Sequence, residues 1–293
     1  MTPALIVKDE WTDMAFSQPE DHKLKQDVNN YWYTLGCLIG IVLMSFALII
    51  HLMVPNFRNV RGYKICFLLL GMESIYFAHL AMNTQTTLIS CQAQGYFYAY
   101  AVIFSVFWLN VLCFDCFALY RTRAGNSAEK NRFTYACLYG WGGPAVLALF
   151  SLFMERVTAV DRSFKPNFST WACHYESNKT VEFLYYFLPL LMLMISGLVF
   201  LMTSVFRARV LRLVPRNVVR FDRSKDHKRL LFTLRLFVAV AVAYALDISS
   251  WLWNGIQWIQ WVSSFYMYVL AIMIFLLCMC NSHVEQWFAE ACC

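Results

Sequence analysis

The chain alternates between long unbroken apolar runs and short polar segments, with no shorter period inside the runs. Leu35 to Leu52 is the clearest example. A helix needs about 20 mostly apolar residues to cross the hydrocarbon core of a bilayer, and seven stretches meet that length, approximately 31–54, 63–84, 92–120, 133–154, 181–206, 231–254 and 259–280. A transmembrane β-barrel would instead show segments of about ten residues alternating apolar and polar, a pattern these runs lack. The pattern predicts an all-α membrane protein: a seven-transmembrane helix bundle over residues 31–280, with a short extracellular segment at 1–30 and a short cytosolic tail at 281–293.

Composition sharpens this. Hydrophobic residues make up 60% of the chain and charged residues only 14%, against roughly 25% charged in soluble domains. The formal charge of +6 does not point to nucleic acid, because most Lys and Arg sit in three loops between spans, where an excess marks the cytoplasmic side. The loop after the third span carries Arg121, Arg123, Lys130 and Arg132 against one acid, Glu129. With that loop inside, the inner segments hold 16 of the 24 Lys and Arg, the outer segments 7, and Arg235 lies within the sixth span. The consistent map has the amino terminus outside and the carboxy terminus in the cytosol, as a multi-pass protein of the plasma membrane in contact with its lipid.

Two features fit that map. The loop from Glu155 to Thr180 contains two glycosylation sequons, at Asn167 and Asn178, which are used only on the lumenal side. Of the eleven cysteines, only Cys91 and Cys173 fall in outer segments, where an oxidising environment permits a disulfide. A bridge between them would pin the long loop over the third span, and two free thiols are the alternative. On the inner side, Arg207, Arg209 and Arg212 continue the fifth helix, while Lys228 and Arg229 lead into the sixth. Together with Arg121 they form either a topology signal or a docking surface for a cytosolic protein. Cys292 and Cys293 resemble palmitoylation sites.

Polar groups inside the spans are costly, about 2.5–3.5 kcal/mol for a central carboxylate on insertion scales. Glu73, Tyr76, His79 and Asn83 fall within one arc of the second helix, Asp115 stands in the third, and Asp247, Ser250, Trp251 and Asn254 form a stripe on the sixth. The expectation is an intramembrane polar network of Glu73, His79, Asn83, Asp115, Asp247 and Asn254. Glu73, His79 and Asp247 serve as switch residues, and Asn110 and Asn254 as interhelical glue. Neither an HExxH motif nor a paired-carboxylate helix motif occurs, so no metal, cofactor or enzymatic activity is expected. A proton-coupled carrier using Glu73 and Asp247 is the competing class.

Several fragments resemble the Methuselah-like receptors of insects. They are Phe57-Arg58-Asn59-Val60-Arg61-Gly62, Phe107 to Asp115, Tyr139-Gly140-Trp141-Gly142-Gly143-Pro144, Glu182 to Tyr186, Leu234 to Phe237 and Asp247 to Trp251. The similarity covers roughly residues 35–280. It implies a G-protein-coupled receptor of the secretin-like class, a heterotrimeric G protein docking between the inner ends of helices three, five and six, a Cys91–Cys173 disulfide, and an extracellular ligand, peptide or small molecule. Such receptors carry a signal peptide and a disulfide-rich ectodomain, whereas residues 1–30 contain no cysteine. The expectation is therefore an agonist that enters the helix bundle. The alternative is a truncated isoform acting, through receptor dimerisation, as a non-signalling partner.

Overall fold

A computed structural model describes residues 20–84, 91–121, 126–157, 164–166, 179–213, 223–253 and 257–279. Among these, seven helices are long and apolar enough to span a membrane. They are α1 (Glu20–Met53), α2 (Val60–Thr84), α3 (Cys91–Arg121), α4 (Asn126–Arg156), α5 (residues 179–213), α6 (Arg223–Leu252) and α7 (Gln257–Met279). Each apolar run of the sequence becomes one helix. The helices overrun the runs mainly at α1, α4, α5 and α6, where Glu, Lys, Arg and Gln, all good helix formers, continue the hydrogen-bond ladder beyond the apolar stretch.

Helix α3 is the central post, packing on α2, α4, α5 and α6, while α1 closes the ring between α2 and α7. Its membrane window is 78% buried, against 17% for α4 on the rim. The outward faces are apolar: Val42 and Ile49 of α1, Leu149 and Phe153 of α4, and Met202 and Phe206 of α5 are all exposed. A protein in water hides such a belt, whereas one in lipid presents it, and helix association then relies on close packing and interhelical hydrogen bonds.

Three local devices set the frame. The chain turns between α1 and α2 through a 3-10 turn at Pro55–Phe57, and α2 is capped by Asn59, whose side-chain oxygen accepts a 2.9 Å bond from the Gly62 backbone N–H. That is the N-cap to N3 geometry of a polar cap. At Gly62 a Cβ would stand 1.8 Å from the Phe57 carbonyl oxygen, so the turn admits only glycine. Both residues lie in the first Methuselah-like fragment.

The second device is the Gly-Trp-Gly-Gly-Pro run. Helix α4 continues through Pro144, and Gly140 and Gly143 bring its backbone against α3. A Cβ at Gly140 would meet the Trp108 ring at 2.6 Å and one at Gly143 the Phe107 ring at 2.2 Å, while Gly142 faces open space. Trp108 is fully buried, with Phe67 of α2 at 4.5 Å between ring centroids and Phe104 at 6.3 Å.

The third lies in α5, which widens to a π turn over Phe183–Phe187. Pro189 has no N–H to give to the carbonyl four residues earlier and its ring disturbs the preceding turn, so the ladder shifts there, with the Leu188 N–H reaching Phe183. Tyr185, Tyr186 and Phe187, all within this turn, are buried.

Candidate functional site

Four of the polar residues expected in one network, Glu73, His79, Asp115 and Asp247, divide into separate groups. One end of the bundle holds Cys91 and the other holds Arg121, and the groups are named by those ends.

Toward the Cys91 end, α2, α3, α6 and α7 enclose a cavity of about 170 Å³ lined by Ile75, His79, Tyr98, Val102, Ala243, Tyr244, Asp247, Ser250, Ser263, Ser264 and Met267. His79 and Asp247 therefore meet, across one space. His79 lies edge-on to Tyr98 with ring centroids 4.7 Å apart, and Tyr98 stacks on Tyr186 of α5 at 6.3 Å. The Tyr186 hydroxyl donates to the Asp247 carboxylate at 3.4 Å, a long bond. Behind this wall the Trp251 N–H donates to Glu182 at 2.6 Å, and Phe187 packs on Trp251 at 4.7 Å. The π turn brings Tyr186 to this wall, and Tyr-Tyr followed closely by Pro189 was the sequence signal for it.

Glu73 stands apart. It accepts a 2.5 Å bond from Ser45 of α1, while Tyr76, on the same face of α2, donates at 2.6 Å to the Met267 carbonyl of α7. Asn110 joins α3 to two neighbours as the glue reading expects. Its amide donates to the Leu193 carbonyl at 2.9 Å and to Ser196 at 2.5 Å, and its oxygen receives the Tyr139 hydroxyl of α4 at 3.3 Å.

At the Arg121 end, Asp115 pairs with Lys64 of α2 at 2.5 Å, and the lysine is 2% exposed against 27% for the aspartate. One turn earlier on α2, Arg61 donates to the Arg229 carbonyl at 2.9 Å and to the Thr233 hydroxyl at 3.1 Å, both on α6. Thr233 also receives the Cys116 thiol at 3.4 Å. In the sequence Arg61 stands out only as part of the first Methuselah-like fragment, and Lys64 not at all. The available signal was depth: Lys64 and Asp115 carry opposite charges within two turns of the same bundle end. Around this cluster Arg121 and Arg207 both lie over the Phe117 ring, at 5.7 and 5.5 Å, Arg209 and Lys228 are exposed, and Arg229 sits 3.9 Å from Asp226. Arg212 lies in the last turn of α5.

Cys91 opens α3 and Asn83 lies in the last turn of α2. Cys173, Asn167, Asn178, Asn254, Cys292 and Cys293 lie outside the described residues. Among the described residues no three His, Cys, Asp or Glu converge as metal ligands.

Seven apolar helices around an apolar core crossed by a few polar contacts, with a cavity at one end and a charged rim at the other, define a multi-pass membrane protein of the heptahelical class. No family model matches the chain. Curated proteins do, and they are Methuselah-like receptors. The chain is 23% identical over 300 residues to the probable G-protein coupled receptor Mth-like 10 of Drosophila melanogaster, covering 93% of this chain and 50% of that protein. It is 24% identical over 291 residues to the G-protein coupled receptor Mth2 of Drosophila simulans, covering 93% and 53%, and 22% identical over 235 residues to the G-protein coupled receptor Mth of Drosophila melanogaster, covering 74% and 44%. The Methuselah-like resemblance read from short fragments thus extends along nearly the whole chain, and the chain spans about half the length of the curated relatives it matches.

Proposed function

We propose that this chain is a G-protein-coupled receptor of the Methuselah-like, secretin-like class, carrying an extracellular signal to a heterotrimeric G protein at the plasma membrane. The observation that carries the proposal is its similarity over 93% of its length to proteins named as such receptors. In this reading the Cys91 end faces outward, with Cys91 bridged to Cys173 and sugars on Asn167 and Asn178. The Arg121 end faces the cytosol, where Arg121, Arg207, Arg209, Arg212, Lys228 and Arg229 form the docking rim. Cys292 and Cys293 would carry the lipid anchors of the tail.

The geometry supplies a mechanism. A receptor must hold two bundle packings and let ligand bias one. Helix α6 is fastened at the Arg121 end through Arg61 and Thr233 and borders the cavity at the Cys91 end through Tyr244 and Asp247. A ligand drawing on the cavity wall acts on the same rigid rod whose other end the Arg61 contacts restrain. Releasing them would open a space between α3, α5 and α6 for the G protein.

The test is nucleotide exchange by heterotrimeric G proteins in membranes holding equal amounts of native chain and Thr233→Val. A hydrogen bond is worth about 1 kcal/mol, a shift of roughly fivefold in a two-state equilibrium, so the variant is expected to raise ligand-independent exchange several-fold. Absence of exchange with every G-protein class, for both chains, contradicts the proposal and leaves the non-signalling partner as the better account.

A further inference from the structure

We propose that the cavity near the Cys91 end binds the protonated amine of a small organic ligand, with Asp247 as its counter-ion. This deepens the receptor reading and rests on it only for the meaning of binding, not for binding itself.

The wall chemistry selects the ligand. Among the described residues the lining holds one carboxylate, Asp247, one imidazole, His79, and neither Lys nor Arg. An ionised carboxylate facing a partly open cavity between membrane-spanning helices is costly unless a cation meets it. The hydroxyl of Tyr186 reaches it at only 3.4 Å and brings no charge. Behind the same wall Glu182 accepts from the Trp251 N–H at 2.6 Å and Lys179 lies over the Trp251 ring at 6.0 Å, so those two charges offset each other and Asp247 sets the charge at the cavity. An anionic ligand is therefore disfavoured on charge alone.

Shape and the remaining surface choose between an organic and an inorganic cation. At about 170 Å³ the space far exceeds a bare ion yet is smaller than the roughly 300–1,000 Å³ of drug-sized pockets. Rings of Tyr98 and Tyr244 border it, and aromatic faces attract ammonium groups. Ile75, Val102, Ala243 and Met267 supply apolar wall for a carbon body, and Ser250, Ser263 and Ser264 offer hydroxyls for a second polar group. An arylalkylamine matches each of these surfaces.

The probe is phenethylamine, with the uncharged 2-phenylethanol as its counterpart and sodium chloride as the inorganic cation. Thermal unfolding of the purified full chain in lipid nanodiscs is followed by tryptophan fluorescence. Phenethylamine is expected to raise the midpoint in a saturable manner that the alcohol does not reproduce. Loss of the charge in Asp247→Asn should weaken the apparent affinity roughly tenfold to a hundredfold. Equal shifts with amine and alcohol, no saturable shift with the amine, a sodium effect that excludes the amine, or undiminished affinity in Asp247→Asn each overturn the proposal. The amine-to-alcohol comparison uses the native chain, so it decides the matter even where the variant fails to fold. Since no G protein takes part in the unfolding measurement, ligand-independent nucleotide exchange tests the receptor reading separately, and the two can fail independently.

Discussion

Lys64 and Asp115 show how one contact fixes two asymmetric roles. The lysine is 2% exposed and the aspartate 27%, so removing either partner strands a different group. Asp115→Asn leaves a buried ammonium without its counter-ion, a loss of about 3–5 kcal/mol by analogy with broken buried pairs. Lys64→Met leaves a carboxylate that water at the membrane surface can reach, and its cost is expected to be smaller. Thermal unfolding in detergent should rank Asp115→Asn well below Lys64→Met, and equal losses would show that burial does not govern the pair. Asp115 itself was legible in the sequence as an acid inside a span. Its partner was not, because Lys64 stands at the edge of an apolar run where a basic residue is the ordinary topology marker, and only the packing of α2 on α3 draws it inward.

Glycines in α4 divide by what they face. Gly140→Val would drive a methyl-bearing Cβ into the Trp108 ring, and overpacking of this kind costs about 1–3 kcal/mol. Gly142→Ala meets nothing within 4 Å and is expected to hold or slightly raise stability, since alanine is the better helix former. The melting midpoint of Gly140→Val should fall below the native value while that of Gly142→Ala stays at or above it. A similar loss in both would mean α4 does not rest on Trp108.

The same sequence feature can set a helix's shape and its chemistry. Pro189 forces the π turn of α5, and the π turn carries Tyr186 to Asp247. Pro189→Ala restores the missing N–H and should let the helix regularise, rotating Tyr186 off the carboxylate. Tyr186→Phe removes the same hydroxyl directly. Both are therefore expected to shift ligand-independent nucleotide exchange in one direction, and opposite shifts would break the link between the turn and the cavity wall. Apolar run lengths gave all seven helices but not the polar overruns of α1, α4, α5 and α6, since the bilayer dictates internal hydrogen bonding within it and not where a helix ends outside it. Run length carries no information on a local change of ladder. The π turn and the neighbours it brings together were accordingly invisible except through Pro189.

Across the bundle, four of the polar residues assigned to one network, Glu73, His79, Asp115 and Asp247, do not share one place. His79 and Asp247 face a common cavity, Glu73 is tied to α1, and Asp115 belongs to the opposite end. Helical phase predicts which face of a helix a residue occupies, but not which neighbour covers that face. The arc on α2 is real, yet its members address α1, α7 and α3 in turn. The grouping matters for mechanism, because α2 and α6 both run from the cavity to the Arg61 clasp, which joins them at the other end.

The proposed docking rim, the disulfide, the sugars and an outward-facing cavity all require the Cys91 end to lie outside the cell. That orientation is tested most directly by an epitope inserted near residue 165 and probed with antibody on intact and permeabilised cells. Labelling of intact cells, together with a glycosidase-sensitive mobility that disappears when Asn167 and Asn178 are both replaced by Gln, is the predicted result. An epitope reached only after permeabilisation, on a protein whose mobility glycosidase leaves unchanged, would contradict it.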